Sequence, residues 1–192
     1  TTRRSSTSPF QLPQWAIRLA RNRRTPFLSK ESRMRFVIAL ASTNVARGTG
    51  GPFGAAVFER AGWRLVAIGV NLVESTRCSH AHAEMVALAN AQQIVGRFDL
   101  SAAGFPTHEL VTSCEPCAMC YGAIPWSGIR SVLCGARASD AEAIGFDEGA
   151  KPKNWVAEFK NRRITVVRDL CRKEAVAVLQ EYKHGGGAIY GA

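Results

Sequence analysis

The sequence predicts an α/β protein, a three-layer α/β/α sandwich built on one central mixed sheet. Segments typical of strands alternate along the chain with segments of helical periodicity, which is the pattern of a sheet covered by helices on both faces. The 192 residues, of which 46% are hydrophobic, suffice for one domain with a sizeable core. The chain has no internal repeat and no run of about eighteen apolar residues, so neither a second domain nor a membrane span is expected.

Residues 1–30 differ from the rest of the chain in charge. They contain seven basic and no acidic side chains, whereas the remainder has 18 basic and 15 acidic ones and the whole chain a net charge of +10. Such a basic arm can contact nucleic acid or an acidic partner. Because the remaining domain is only mildly basic, we expect no nucleic-acid partner and interpret the arm as a solvated extension that is dispensable for activity.

The domain is expected to span residues 31–182, and its first elements follow from periodicity and end signals. Ser29 is suited to cap a helix, and apolar residues recur behind it at helical spacing until the glycine-rich stretch 48–52. Two strands joined by a short turn are predicted at Phe53–Glu59 and Trp63–Asn71, where β-branched and aromatic residues are frequent.

The second half of the domain continues this alternation. Ala81–Val95 is rich in alanine and is followed by a glycine, as helices often are, and Pro116 suits the first position of a further helix. The remaining predicted elements are the strands Glu109–Ser113, Arg130–Cys134 and Ile164–Arg168 and the helices Asp140–Ile144 and Lys173–Tyr182. The glycine-rich residues 183–192 are expected to form a tail.

Three side chains have the chemistry and spacing of zinc ligands, namely His82, Cys117 and Cys120. Cysteines 114, 117 and 120 fall within seven residues, which suits a metal better than disulfides and indicates a reducing, cytoplasmic location. Cys117 and Cys120 lie three residues apart at a predicted helix start, so both thiolates can face one ion. Three protein ligands leave a fourth position for water, as in catalytic zinc sites. Glu84, two residues after His82, is placed to take a proton from that water.

The same residues are compatible with two other kinds of metal site. Cys114 together with the three other ligands would form a closed structural zinc site. The three regularly spaced cysteines also resemble part of an iron–sulfur motif, although the fourth cysteine and its following proline are missing. Because Cys114 precedes Pro116 on the strand side of the predicted helix start, the open three-ligand site is favoured.

The pattern His82-Ala-Glu84 followed by Pro116-Cys117-Ala-Met-Cys120 is the signature of zinc deaminases that act on nucleobases. Over about residues 34–182 the chain resembles the cytidine-deaminase-like superfamily, and within it the bacterial guanine deaminases. The motifs that extend this resemblance are Gly50–Ala55, Asn71, Thr112–Cys117, Gly122–Trp126 and Glu142–Glu148. The tryptophan and the acidic Gly-Phe-Asp-Glu stretch favour guanine deaminases over tRNA adenosine deaminases.

The resemblance implies a cytidine-deaminase-like fold, one Zn2+ per chain and zinc-dependent hydrolysis of guanine to xanthine and ammonia by a homodimer. Glu84 and Glu148 are the implied catalytic residues. The implied substrate-binding residues are Phe53, Asn71, Ala83, Trp126 and Tyr190. Because an apolar pair follows three glycines in the tail, residues 183–192 are expected to close over the active site as a flap.

Two other functions remain open from the sequence. The same residues are compatible with another small amino-heterocycle, such as ammeline, another aminotriazine or guanosine. In a tRNA adenosine deaminase, the basic arm would carry the RNA and the pocket would take a flipped adenosine. The expected partner is a small purine-type molecule rather than a nucleic acid or a membrane.

Overall fold

The computed structural model describes residues 10–21 and 27–190 and contains one five-stranded sheet in the order β2-β1-β3-β4-β5. The strands are β1 (Gly54–Glu59), β2 (Arg64–Val70), β3 (His108–Cys114), β4 (Ser131–Ala136) and β5 (Thr165–Val167). Strand β1 pairs antiparallel with β2 and β3, whereas β3–β4 and β4–β5 are parallel. The predicted mixed sheet is therefore confirmed.

Helices cover both faces of this sheet. The helices are α1 (Gln14–Arg21), α2 (Lys30–Ala46), α3 (Val73–Thr76), α4 (Ala83–Val95), α5 (Ala118–Trp126), α6 (Ala138–Glu142), α7 (Trp155–Asn161) and α8 (Arg172–His184). Helices α2 and α8 contribute to one buried apolar cluster, and α4, α5 and α7 contribute to a second cluster on the opposite face. This arrangement is the predicted three-layer sandwich.

Several helix ends follow the sequence signals closely. The Ser29 hydroxyl accepts a hydrogen bond from the Ser32 backbone N–H at 3.0 Å and caps α2. Helix α4 ends at Gly96, whose φ of 75° belongs to the left-handed region that favours glycine. The start of α5 differs from the prediction, because Cys117 has an extended backbone and forms the N-cap, so the helix begins two residues after Pro116.

Three helices were not predicted from the sequence, and α1 changes the interpretation of the basic arm. Ala16 in α1 is fully buried, and the ring of Phe27 lies 5.0 Å from that of Phe36 and 5.2 Å from that of Phe58. The described part of the arm thus packs on the domain, since apolar side chains interleave with its arginines, rather than extending into solvent. Nowhere in residues 10–21 and 27–190 does a helix have both the length and the apolarity to cross a bilayer.

Candidate metal centre and active site

The predicted metal ligands come from the starts of two helices that lie side by side on the sheet. His82 is the N-cap of α4, Cys117 is the N-cap of α5, and Cys120 lies in the first turn of α5. Their donor atoms all lie within 4.8 Å of one another. The His82 Nδ1 atom is 3.5 Å from the Cys117 Sγ atom and 3.7 Å from the Cys120 Sγ atom. The fold therefore brings together all three residues that the sequence singled out.

These separations fit a tetrahedral zinc ion. Zinc–sulfur bonds of about 2.3 Å and zinc–nitrogen bonds of about 2.0–2.1 Å, at a tetrahedral angle, place nitrogen and sulfur about 3.6 Å apart. Cys114 does not join the site, because it is buried in β3 with its Sγ atom 3.4 Å from the Arg137 carbonyl oxygen. His82, Cys117 and Cys120 form a zinc-binding site, and the open three-ligand set is confirmed among the described residues.

The site favours a thiolate at Cys117. The hydrogen bond with the Cys120 thiol lowers the pKa of Cys117 to about 4, and the neighbouring His82 imidazole acts in the same direction against the effect of burial. A position at a helix N-terminus also stabilises negative charge. A soft anionic sulfur beside an imidazole nitrogen is a donor set that suits zinc.

Glu84 lies beside these ligands in the first turn of α4. Its side chain is buried, and its Oε1 atom accepts a hydrogen bond from the Thr112 hydroxyl at 3.0 Å. Burial raises the pKa of Glu84, and the negative charge of Cys117 adds to this shift. A buried carboxyl with a raised pKa is suited to accept and return protons.

One small cavity is lined by two of the metal ligands, His82 and Cys117, and by most of the predicted substrate contacts. The residues that line it are Phe53, Asn71, His82, Glu84, Glu115, Cys117, Phe146, Asp147, Glu148 and Tyr190. A larger cleft of about 800 Å³ lies between α1, β2 and α4, but none of the metal ligands lines it. Because perturbed carboxyls and ligands converge only in the smaller cavity among these two, that cavity is the candidate active site.

Glu148 is the second carboxyl of the cavity. Its segment is fixed to the start of α5, because the Glu148 carbonyl oxygen accepts a hydrogen bond from the Ala118 N–H at 2.8 Å. Its buried Oε2 atom has no hydrogen-bond partner among the described residues. Burial raises the pKa of Glu148 to about 8, and the negative charges of Cys117 and Glu84 contribute to the shift. An unpartnered buried carboxyl oxygen facing a cavity indicates a group that binds a ligand.

The wall opposite the metal is aromatic and carries Asn71. The ring of Phe146 lies 5.0 Å from that of Phe53 and 5.3 Å from that of Tyr190, in edge-to-face contacts. The Asn71 Oδ1 atom accepts a hydrogen bond from the Val73 N–H at 3.3 Å, so its Nδ2 amide protons are left for other partners. Burial raises the pKa of Tyr190, whose hydroxyl lies against the Asn71 side chain.

Two predicted substrate contacts do not lie in this cavity. Ala83 is fully buried in the apolar cluster between α4 and the sheet, because it is the first residue of α4 and its side chain packs toward the core. Trp126 is 83% exposed at the far end of α5, and a helix of nine residues places it about 13 Å along the axis from Cys117. Within the described chain, neither side chain reaches the metal centre.

Four lining or supporting residues were not among the predicted site residues. Thr112 and Glu115 belong to the motif Thr112–Cys117, and Phe146 and Asp147 precede Glu148 in its motif. The end of β3 is a signal for Thr112 and Glu115, because residues at the carboxyl end of a strand, next to a helix start, commonly line sites in α/β folds. Glu115 accepts hydrogen bonds from the Arg168 side chain and the Ala138 N–H, which fixes the backbone before Cys117.

Comparisons with known proteins agree with this geometry. The family described as the cytidine and deoxycytidylate deaminase zinc-binding region matches residues 28–136, which contain all three ligands and Glu84. The chain is 49% identical to a solved structure of guanine deaminase from Nitrosomonas europaea, with 91% of this chain and 94% of that chain covered and a TM-score of 0.86. Another solved structure, a complex with 2,6-diaminopurine, is 47% identical over 98% of each chain, with a TM-score of 0.89. Guanine deaminase of Bacillus subtilis (strain 168) is 36% identical over 63% of this chain and 73% of its own length.

Proposed function

This chain belongs to the cytidine and deoxycytidylate deaminase zinc-binding family, and we propose that within this family it deaminates guanine. The reaction adds one water molecule and yields xanthine and ammonia. The observation that carries this function is that an open zinc site, Glu84 and a second buried carboxyl, Glu148, face one small cavity. The function agrees with relatives that are guanine deaminases at 49% and 36% identity.

Glu84 is the residue that we assign to proton transfer at the metal side. His82, Cys117 and Cys120 would hold the zinc ion, which would make a bound water molecule acidic enough to react near neutral pH. Glu84 accepts one proton from the attacking water and passes it to a ring nitrogen, and then passes the second proton of the same oxygen to the amine, which leaves as ammonia. The Thr112 hydroxyl holds its Oε1 atom, so the other carboxyl oxygen is the one available for this transfer.

Glu148 is assigned to the edge of the substrate. Guanine presents several N–H donors, and the unpartnered Oε2 atom of Glu148 is an acceptor for them. Because the pKa of Glu148 is about 8, the carboxyl can also hold a proton and release it near neutral pH. Asn71 complements this acceptor, since its Nδ2 protons can bind a ring nitrogen or the carbonyl oxygen of guanine. The rings of Phe53 and Phe146 provide the apolar surface on which a purine packs.

The C-terminal residues are proposed to close the cavity. Tyr190 lines it, and the tail is held by the Tyr182 hydroxyl, which donates to the Ala188 carbonyl oxygen at 2.7 Å. Gly186 has a φ of 72°, and the neighbouring glycines leave the connection to α8 easy to bend. A tail that packs an aromatic side chain over the site excludes water while charge develops.

The chain is further proposed to form a homodimer in a reducing, cytoplasmic compartment. Trp126 is 83% and Met119 is 37% exposed on α5, and a partner that covers this helix would bury both. All six cysteines are free, which is usual where thiols stay reduced. Sedimentation at micromolar concentration checks the dimer, and a monomer there would contradict it.

A substrate panel on one zinc-analysed preparation tests the function. Ammonia release is measured in steady state with guanine, guanosine, adenine, cytosine and ammeline, and inosine formation is measured with a tRNA. We expect guanine to have the highest kcat/KM at about one zinc per chain. A higher value for ammeline or guanosine would reassign the substrate, and efficient inosine formation would reassign the enzyme to RNA editing.

A further inference from the structure

The cavity wall that carries Asn71 rests on a buried amide in α2. Asn44 is fully buried, and its Nδ2 atom donates to the backbone carbonyl oxygens of Gly51 and Asn71, both at 2.9 Å. Both amide protons are therefore used on the backbone of the wall. Asn44 itself does not line the cavity, so its influence on a substrate is transmitted through Asn71.

The hydrogen bonds continue outward from Asn44 to the N-terminal helix. The Thr49 hydroxyl lies 2.7 Å from the Asn44 Oδ1 atom, and the Trp15 indole nitrogen in α1 lies 3.2 Å from the same hydroxyl. An indole N–H can only donate, so the Thr49 oxygen accepts from Trp15 and its proton is directed to Asn44. Hydrogen bonds in such a chain polarise and strengthen one another.

This direction of donation fixes the orientation of the Asn44 amide. With Oδ1 turned to Thr49, the NH₂ group must face the two carbonyl oxygens. Without the Thr49 donor, the buried Oδ1 atom would lose its side-chain partner, and the amide would be held only from the side of the wall. The hydroxyl of Thr49 thus helps to keep Asn44 in the position from which it supports Asn71.

Close packing transmits this support to the side chains of the cavity. The Asn71 N–H donates to the Phe53 carbonyl oxygen at 3.0 Å, so both residues belong to one hydrogen-bonded unit. A Cβ atom on Gly50 would lie 2.0 Å from the Asn71 carbonyl oxygen, and one on Gly51 would lie 2.7 Å from the Tyr190 hydroxyl. The backbone at Gly50 and Gly51 therefore packs directly against Asn71 and Tyr190.

We propose that Trp15, Thr49 and Asn44 are positioning residues that hold Asn71 in place for the substrate. Helix α1 is then part of the substrate-binding apparatus, although it lies outside the cavity and was expected to be dispensable. The inference rests on the proposed function, because it takes Asn71 as a contact of guanine. It predicts that the three positioning residues affect substrate binding far more than the chemical step.

A matched pair of variants at Thr49 tests this relay, the chain of hydrogen bonds from Trp15 through Thr49 and Asn44 to Asn71. The variants are measured as zinc-loaded full chains. Thr49→Val removes the hydroxyl with little change in shape, and Thr49→Ser retains it. Since one internal hydrogen bond contributes about 0.5–1.5 kcal/mol, we expect Thr49→Val to raise the KM for guanine about three- to tenfold, with kcat within about twofold. Thr49→Ser is expected to restore the KM, and Trp15→Phe, which keeps the ring and loses the donor, to raise it about two- to fourfold. Thr43→Val is the control, because its hydroxyl bonds only to the Ala39 carbonyl oxygen within α2.

An Asn71→Ala background separates the relay from the substrate contact. Asn71→Ala alone should raise KM, and Thr49→Val should then add little, because the side chain that it positions is gone. An unchanged KM in Thr49→Val, the same rise in Thr49→Ser, or fully additive effects with Asn71→Ala would each overturn the relay while leaving Asn71 as a contact. An unchanged KM in Asn71→Ala would instead remove the contact, and the relay with it.

Discussion

The two halves of the cavity are built in different ways. On the metal side, His82, Glu84, Cys117 and Cys120 all come from the first turns of α4 and α5, within three residues of one another on each helix. On the substrate side, the lining residues come from separate segments of the chain, and the segments that carry Phe53, Asn71, Glu148 and Tyr190 lie between or after regular elements.

This difference determines what each half depends on. The geometry of a helix start is fixed locally, so the spacing of the metal ligands is set by a few residues of sequence. Loops have no such internal constraint, and their positions are set by contacts from elsewhere, such as those of Asn44 and Lys151. The Lys151 Nζ atom, for example, donates to the Pro116 carbonyl oxygen at 2.6 Å and ties the loop after Glu148 to the metal side. We therefore expect substitutions on the metal side to abolish activity and single substitutions on the substrate side to reduce it only partly.

The largest effect is expected from removal of a metal ligand. Cys117→Ser should lose its zinc and all measurable deamination, because serine is a poor ligand for zinc and two ligands hold it weakly. Cys114→Ser is the matched control, since that thiol lies in β3 outside the site. Zinc per chain and ammonia release are measured on both. Equal zinc loss from the two variants would show that the site is the closed, four-ligand kind.

The next largest effect is expected from Glu84→Gln, which keeps the shape of the side chain and removes its basicity. Loss of a general acid–base group lowers kcat by about 10²–10⁴-fold, and here one residue carries each proton transfer. Folding and zinc content should match those of the wild type, as circular dichroism and metal analysis can check. Activity within threefold of wild type would rule out Glu84 as the proton carrier.

The same contrast explains how far the sequence was informative. The sheet, the capped helix α2 and the metal side were predictable, because each depends on periodicity, a cap or a short motif. The position of Trp126 relative to the cavity could not be predicted in this way. A motif shows only which residues are adjacent in sequence, and Trp126 lies at the end of α5 that is remote from the metal ligands. Helix α1 was missed because the arm was interpreted from its overall charge, whereas the apolar residues of Gln14–Arg21 pack on the domain and stabilise the helix.

The third prediction concerns the tail, where the substrate side depends most on distant residues. Truncation after Lys183 should leave zinc content and folding unchanged and lower kcat/KM tenfold or more, because it removes Tyr190 from the cavity wall. Tyr190→Ala should reproduce part of this loss. Tyr190→Phe keeps the ring that contacts Phe146 and should retain most of the activity. A truncated enzyme that turns over guanine like the intact one would show that the tail does not close the site.

The last prediction concerns stability rather than activity and isolates Glu148 on the substrate side. Burial raises the pKa of Glu148 to about 8, whereas a glutamate in an unfolded chain has a pKa of about 4.3. The folded state binds the proton of Glu148 more tightly than the unfolded chain does. The contribution of this proton to stability is therefore complete below about pH 4.3 and is lost as the pH rises to about 8.

Glu148→Gln, which cannot ionise, should therefore flatten the decline in stability between pH 5 and pH 8, by at most about 1.4 kcal/mol per pH unit. Urea unfolding of the two proteins at several pH values measures this difference. Parallel pH profiles for wild type and Glu148→Gln would mean that the carboxyl titrates normally, and its assignment as a proton carrier near neutral pH would lose its support.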